Sequence, residues 1–203
     1  MKVVNTAAKI DINRCVGCGR CADVCPTATI AIKDRKAIID KTYCYGCGAC
    51  ETVCPLKIIE MEAIEPFTVQ FEYDHISRDD IRELCAKVHT YPEEIICCVG
   101  VTSGEVAGAI LDGAKTPIEV TRKTGVGTGC KVFCSTMVVM MLMEAGIDPG
   151  QAPGYQWYGK VPTLWSIPEE VKAKYDSVYH FNDDLLCHEL RLKLAGEIGK
   201  GSE

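Results

Sequence analysis

Apolar and polar residues alternate in AKIDI, in both arms of ATIAIKDRKAIID, and in KIIEMEAI. In an extended chain, residues two apart share a face, so these stretches predict strands. The middle one predicts a hairpin around Asp34 and Arg35. Helix signals take over further on. SRDDIRELCAKVH predicts a helix started by Ser77 and Asp80. Thr102 and Glu105 form a T-x-x-E box, with Val106, Ile110 and Leu111 behind it. Thr116, Pro117 and Glu119 form a second start signal, with proline at the first helical position. The glycines of TGVGTG break the chain before Cys130. A third helix is expected from about Lys131 to Ala145, ending at Gly146.

The longest mostly apolar run, Val132 to Met143, spans 12 residues and includes a Ser and a Thr. That is too short to cross a bilayer. The N-terminal MKVVNTAAKID turns polar too soon for a secretory signal. Four of the six methionines crowd into 137–143, which suits a core helix or an adaptable binding face. Beyond residue 147, Ser166 and Glu169 predict a short helix, and NDDLLCHELRLKLAGE predicts a longer one. The rest of that stretch is rich in Pro, Gly and aromatics. It reads as an extended arm whose Trp157 and Trp165 could anchor a partner.

These elements predict an α+β chain in four parts. Residues 1–65 form a strand-rich domain and 66–94 a connecting strand and helix. Residues 95–146 form a small helical domain, and 147–203 the arm.

Composition sharpens this picture at one point. The chain has 14 cysteines in 203 residues, many for a length that needs no disulfide staples. With no secretory signal expected, a cytoplasmic protein using thiols as metal ligands is the expectation. The net charge of −6 argues against nucleic acid. Residues 1–65 carry 9 Lys+Arg and 8 Asp+Glu, so the acidity lies in the remainder.

Eight of the cysteines form an internal repeat. CVGCGRCADVCP holds Cys15, Cys18, Cys21 and Cys25; CYGCGACETVCP holds Cys44, Cys47, Cys50 and Cys54. Each copy is C-x2-C-x2-C-x3-C-P, the run that binds cubane iron–sulfur clusters in two-cluster ferredoxins. Three cysteines wrap one cubane, and the fourth leaves the loop and reaches the other. Cys15, Cys18, Cys21 and Cys54 are therefore expected to hold one [4Fe-4S] cluster. Cys25, Cys44, Cys47 and Cys50 are expected to hold the second. Gly17, Gly19, Gly46 and Gly48 let the backbone approach the sulfides. A pair of four-cysteine zinc knuckles is the alternative, but zinc does not need the crossed fourth cysteine and its proline. Residues 1–65 resemble clostridial-type 2[4Fe-4S] ferredoxins over their whole length.

A second cysteine region starts at EIICCVGVT, where Cys97 and Cys98 are adjacent. Residues 95–146 resemble the [2Fe-2S] domain of bacterioferritin-associated ferredoxins in the VTxxEVxxAIxxGAxTxxEV frame and the TGxGTGC loop. In that family the ligands run C-x-C, two short helices, C-x-x-C. Cys98 and Cys130 match the inner two. The outer two positions fall at Ile96 and Phe133, whereas this chain has Cys97 and Cys134. The resemblance thus implies one site with rebuilt geometry. The expected arrangement has Cys97 and Cys98 on one side of a [2Fe-2S] rhomb and Cys130 and Cys134 on the other. Cys130 and Cys134, four apart at a helix start, would also suit a third [4Fe-4S] cluster. A dinucleotide loop is excluded, because Cys130 stands where G-x-G-x-x-G needs its last glycine. Cys85 reads as a buried hydrophobe, and Cys187 as a reserve ligand.

No nucleophile–base pair or nicotinamide fold is legible. By resemblance, such fusions accompany flavin-dependent dehydrogenases in anaerobes. The chain is expected to be an electron-transfer subunit between a catalytic flavoprotein and a soluble ferredoxin or other carrier. A cluster-assembly or iron-mobilising protein is the alternative. A thiol/disulfide reductase using Cys97 and Cys98 ranks third.

Overall fold

The computed structural model describes residues 1–130, 133–159 and 161–198. They fall into two compact units, split between Gly159 and Lys160. In the first unit, strand β1 (Lys2–Ile10) pairs antiparallel with β4 (Ile59–Val69), from Lys2 opposite Val69 to Ile10 opposite Ile59. The register slips between Val4 and Thr6. Between these strands lie two short helices, α1 (Arg20–Asp23) and α2 (Ala49–Val53), and a hairpin of β2 (Ile30–Lys33) and β3 (Lys36–Ile39). Asp34 and Arg35 turn that hairpin with φ of 48° and 58°, the left-handed pair that a two-residue loop needs to match strand twist. β4 runs four residues past the expected boundary at 65. Its far end pairs with the start of β1, and Val4 and Val69 bury against Tyr45 there.

Four helices make the second part of this unit: α3 (Arg78–Lys87), α4 (Ser103–Leu111), α5 (Pro117–Thr124) and α6 (Cys134–Glu144). Three expected starts hold. The Ser77 hydroxyl accepts from Asp80 N–H at 3.4 Å, and Thr116 accepts from Glu119 N–H at 3.2 Å. Thr102 and Glu105 bond reciprocally at 3.2 and 2.8 Å. Such caps each contribute about 1 kcal/mol. The helices share one core that includes Ile81, Val106, Val120 and Leu142. Met137 and Met141 are buried in it, so this part of the methionine run is core. Cys85 is fully buried there too, as expected of a small hydrophobe.

The third helix starts later than its sequence suggested. It begins at Cys134, behind Phe133 as a cap with no side-chain bond. Lys131 and Val132, where the start was expected, lie outside the described residues. Cys130 therefore belongs to the preceding loop, and the shared helical face expected for Cys130 and Cys134 does not form.

The arm also differs from its expected extended form. Residues 147–159 belong to the first unit, held by Tyr155 N–H to Asp23 C=O at 3.1 Å and Gln156 Nε2 to Cys25 C=O at 3.2 Å. The second unit is mostly helical, with α7 (Glu169–Tyr179) and α8 (Phe181–Ile198). Ser166 does not cap α7; it closes a 3-10 turn with Thr163, and α7 starts after Pro168. Glu169 and Lys172 pair at 2.7 Å on the first turns of α7. His180 takes the left-handed C-cap position that separates the two helices. Both helices were expected from the sequence; what differs is the start of α7 and the docking of residues 147–159 on the first unit. Among the described residues, no helix is long and apolar enough to cross a membrane.

Candidate metal centres

Each C-x2-C-x2-C run curls through two left-handed glycines before its short helix. Gly17 and Gly46 occupy equivalent places, with φ of 70° and 67°. A Cβ on Gly17 would meet the Arg35 carbonyl at 2.5 Å, and one on Gly46 the Thr6 carbonyl at 2.6 Å. Only glycine lets the loop close against the neighbouring backbone.

The folded loops bound two cavities. One is lined by Cys15, Cys18, Cys21 and Cys54, with Ile10 and Ile59 behind them. The other is lined by Cys25, Cys44, Cys47 and Cys50, with Thr128 closing one wall. The fourth cysteine of each run thus borders the cavity of the other run. Backbone N–H groups point at the sulfurs: Ala37 at Cys15 (3.4 Å), Ala8 at Cys44 (3.4 Å) and Thr29 at Cys25 (3.5 Å). Such donors favour thiolates. Burial acts in the other direction and pushes the Cys50 thiol up to about 12 when protonated and metal-free. An electron-poor metal group would hold that sulfur ionised. Four sulfurs, an apolar lining and inward N–H groups fit a cubane in each cavity.

The second cysteine region forms a turn in which Cys97 C=O accepts from Gly100 N–H at 2.9 Å. Adjacent side chains point apart: Cys97 is buried and Cys98 exposed. Across from them, Cys134 at the start of α6 is buried and Cys130 exposed. Cys130 N–H donates to the Cys98 sulfur at 3.2 Å. A Cβ on Gly129 would run into that same sulfur. The Cys97 and Cys134 thiols hydrogen-bond each other, which holds Cys97 below the ordinary thiol range and keeps the proton on Cys134. The four thiols therefore meet as a buried pair, Cys97 with Cys134, and an exposed pair, Cys98 with Cys130. This differs from the expected sides of the rhomb, because the turn throws adjacent residues to opposite faces. A two-iron group, needing two pairs of sulfurs, fits this set. Ile96 and Phe133, the positions where the family pattern would place ligands, are respectively core and 59% exposed. Cys187 is exposed on α8, in the second unit.

The two parts of the first unit are stapled beside these sites. Tyr45, the residue after Cys44, donates its hydroxyl to Arg122 C=O at 2.6 Å. Arg122, in the last turn of α5, donates from Nε to Thr27 C=O at 2.8 Å and from a terminal nitrogen to Ala28 C=O at 3.2 Å. Its guanidinium lies 4.7 Å over the Tyr43 ring. Sequence reasoning missed Arg122, Tyr45 and Thr128, since no local pattern marks a residue whose partners lie about eighty positions away.

These features define an iron–sulfur protein. Residues 7–58 match the 4Fe-4S dicluster domain family, and residues 95–144 match the BFD-like [2Fe-2S] binding domain. The chain joins these two domain types in one polypeptide, and they imply two [4Fe-4S] clusters and one [2Fe-2S] cluster. Searches of curated proteins and of solved structures find no match.

Proposed function

We propose that this chain is the electron-relay subunit of a larger oxidoreductase complex, whose catalytic subunit is a flavoprotein. In this reading Cys15, Cys18, Cys21 and Cys54 hold the first [4Fe-4S] cluster. Cys25, Cys44, Cys47 and Cys50 hold the second. Cys97, Cys98, Cys130 and Cys134 hold the [2Fe-2S] cluster. Bound clusters supply one-electron storage and transfer. The chain's own residues exclude water, set donors on the sulfurs and hold the three groups in file.

The observation that supports this reading is the loop from Gly125 to Cys130. Thr128 borders the cavity of Cys25, Cys44, Cys47 and Cys50, and Cys130 follows two residues later. Two residues span at most about 7 Å. The loop thus supports a short separation between the second and third centres. A protein that hands clusters to other proteins would gain nothing from such a fixed junction. A thiol reductase would not need the eight ferredoxin cysteines.

The test is anaerobic co-purification from the native host, followed by redox titration with EPR. A stoichiometric flavoprotein partner and reversible one-electron steps at all three centres are expected. A chain that emerges alone and transfers its clusters to apo-proteins would overturn the reading in favour of cluster assembly.

A further inference from the structure

A third cavity, of about 620 Å³, opens between the two domain types. It falls within the range of small-molecule sites, roughly 300–1,000 Å³. Cys47 and Cys130 both border it, so it touches the second and third centres at once. Its outer wall is Tyr155, Trp157 and Tyr158. That wall is anchored: Tyr155 N–H and Gln156 Nε2 bond the carbonyls of Asp23 and Cys25, and Tyr158 Oη donates to Gln156 Oε1 at 3.1 Å. Trp157 stays 61% exposed on this anchored segment, so a flat ring face is on offer. Thr121 and Thr136 are among its lining residues.

Charge narrows the ligand class. No described side chain lining the cavity is a Lys, Arg, Asp or Glu. Among the described residues no lining side chain would pair a phosphate, and cysteine thiolates at two edges would repel one. What remains favourable is an uncharged planar ring that packs on Trp157. Ring carbonyls on such a ligand would accept from the threonine hydroxyls.

We propose that this cavity is a ligand site for a flat, uncharged, quinone-class ring, placed where Cys47 and Cys130 both reach it. The site stands apart from the relay reading, since its occupation requires no partner subunit.

The test is isothermal titration of the fully loaded, oxidised chain with duroquinone, whose four methyl groups leave no ring position open to thiol addition. Saturable 1:1 binding is expected. Trp157→Ala should weaken it about tenfold, and Trp157→Phe should restore it to within about threefold. Iron content and melting temperature should be unchanged in both variants, because Trp157 lies on the surface. Flavin mononucleotide, flat but doubly charged, should bind about tenfold more weakly than duroquinone. No saturable binding, or equal binding by Trp157→Ala, would overturn the site. Tighter binding of the flavin nucleotide would overturn the uncharged class.

Discussion

Thr128 and Cys130, two residues apart in one loop, face different groups of cysteines. Thr128 is buried and lines one cavity with Cys25, Cys44, Cys47 and Cys50, whereas Cys130 is exposed and donates its N–H to the Cys98 sulfur. The loop can do this because Gly125 and Gly127 turn through left-handed conformations and the Thr128 hydroxyl returns to Gly125 C=O at 2.7 Å.

The staple that seats this loop can be cut without touching a cysteine. Arg122→Ala removes both guanidinium bonds, to Thr27 and Ala28. Bonds from a charged group stabilise by about 1.5–3 kcal/mol when shielded from water; Arg122 is half-buried, so the lower end is expected. The urea midpoint should fall while iron content is retained. Stopped-flow reduction should show slower equilibration between the cubanes and the [2Fe-2S] centre.

Gly17→Ala and Gly46→Ala each force a Cβ into backbone from a left-handed φ. The backbone cannot yield as a side-chain tip would. Each variant should lose one cubane, about four irons per chain, by elemental assay. The spectrum of the [2Fe-2S] centre should persist in both.

The crossed cysteines give a sharper test. Cys54 borders the cavity of the first run and Cys25 that of the second. Cys54→Ser and Cys18→Ser should therefore perturb the same EPR signal, and Cys25→Ser and Cys47→Ser the other. If Cys54→Ser instead altered the signal changed by Cys47→Ser, the crossed assignment would fail.

Cys85 predicts a pH effect. Burial pushes its thiol from the ordinary 9.0 up to about 12. Between those values the unfolded chain has released a proton that the folded chain keeps, so stability falls as pH rises through this window. Chemical denaturation at pH 9, 10 and 11 should show this slope as the difference in stability between the native chain and Cys85→Ala, since the cluster ligands titrate alike in both. The variant should also lose about 1–2 kcal/mol at pH 8 through lost packing. In the native chain at pH 8, Cys85 should resist iodoacetamide.

What could be read from the sequence alone was local. The cysteine spacing, the proline after each fourth cysteine, the Asp34–Arg35 hairpin and the caps at Ser77, Thr102 and Thr116 all depend on residues within a few positions of one another. Their physics is complete in a short window, and the structure forms each of them. The paired displacement of Cys97 and Cys134 was legible too, as an anomaly in spacing. Its geometry was not. Only the turn at Cys97–Gly100 and the late start of α6 decided that Cys97 meets Cys134 while Cys98 meets Cys130. The same holds for Thr128 in the wall of the second cavity, for Arg122 bonding carbonyls more than ninety residues back, and for the aromatic wall at 155–158. These contacts join segments distant in the chain. They arise when two domains pack, and no local pattern of residues records which surfaces will meet.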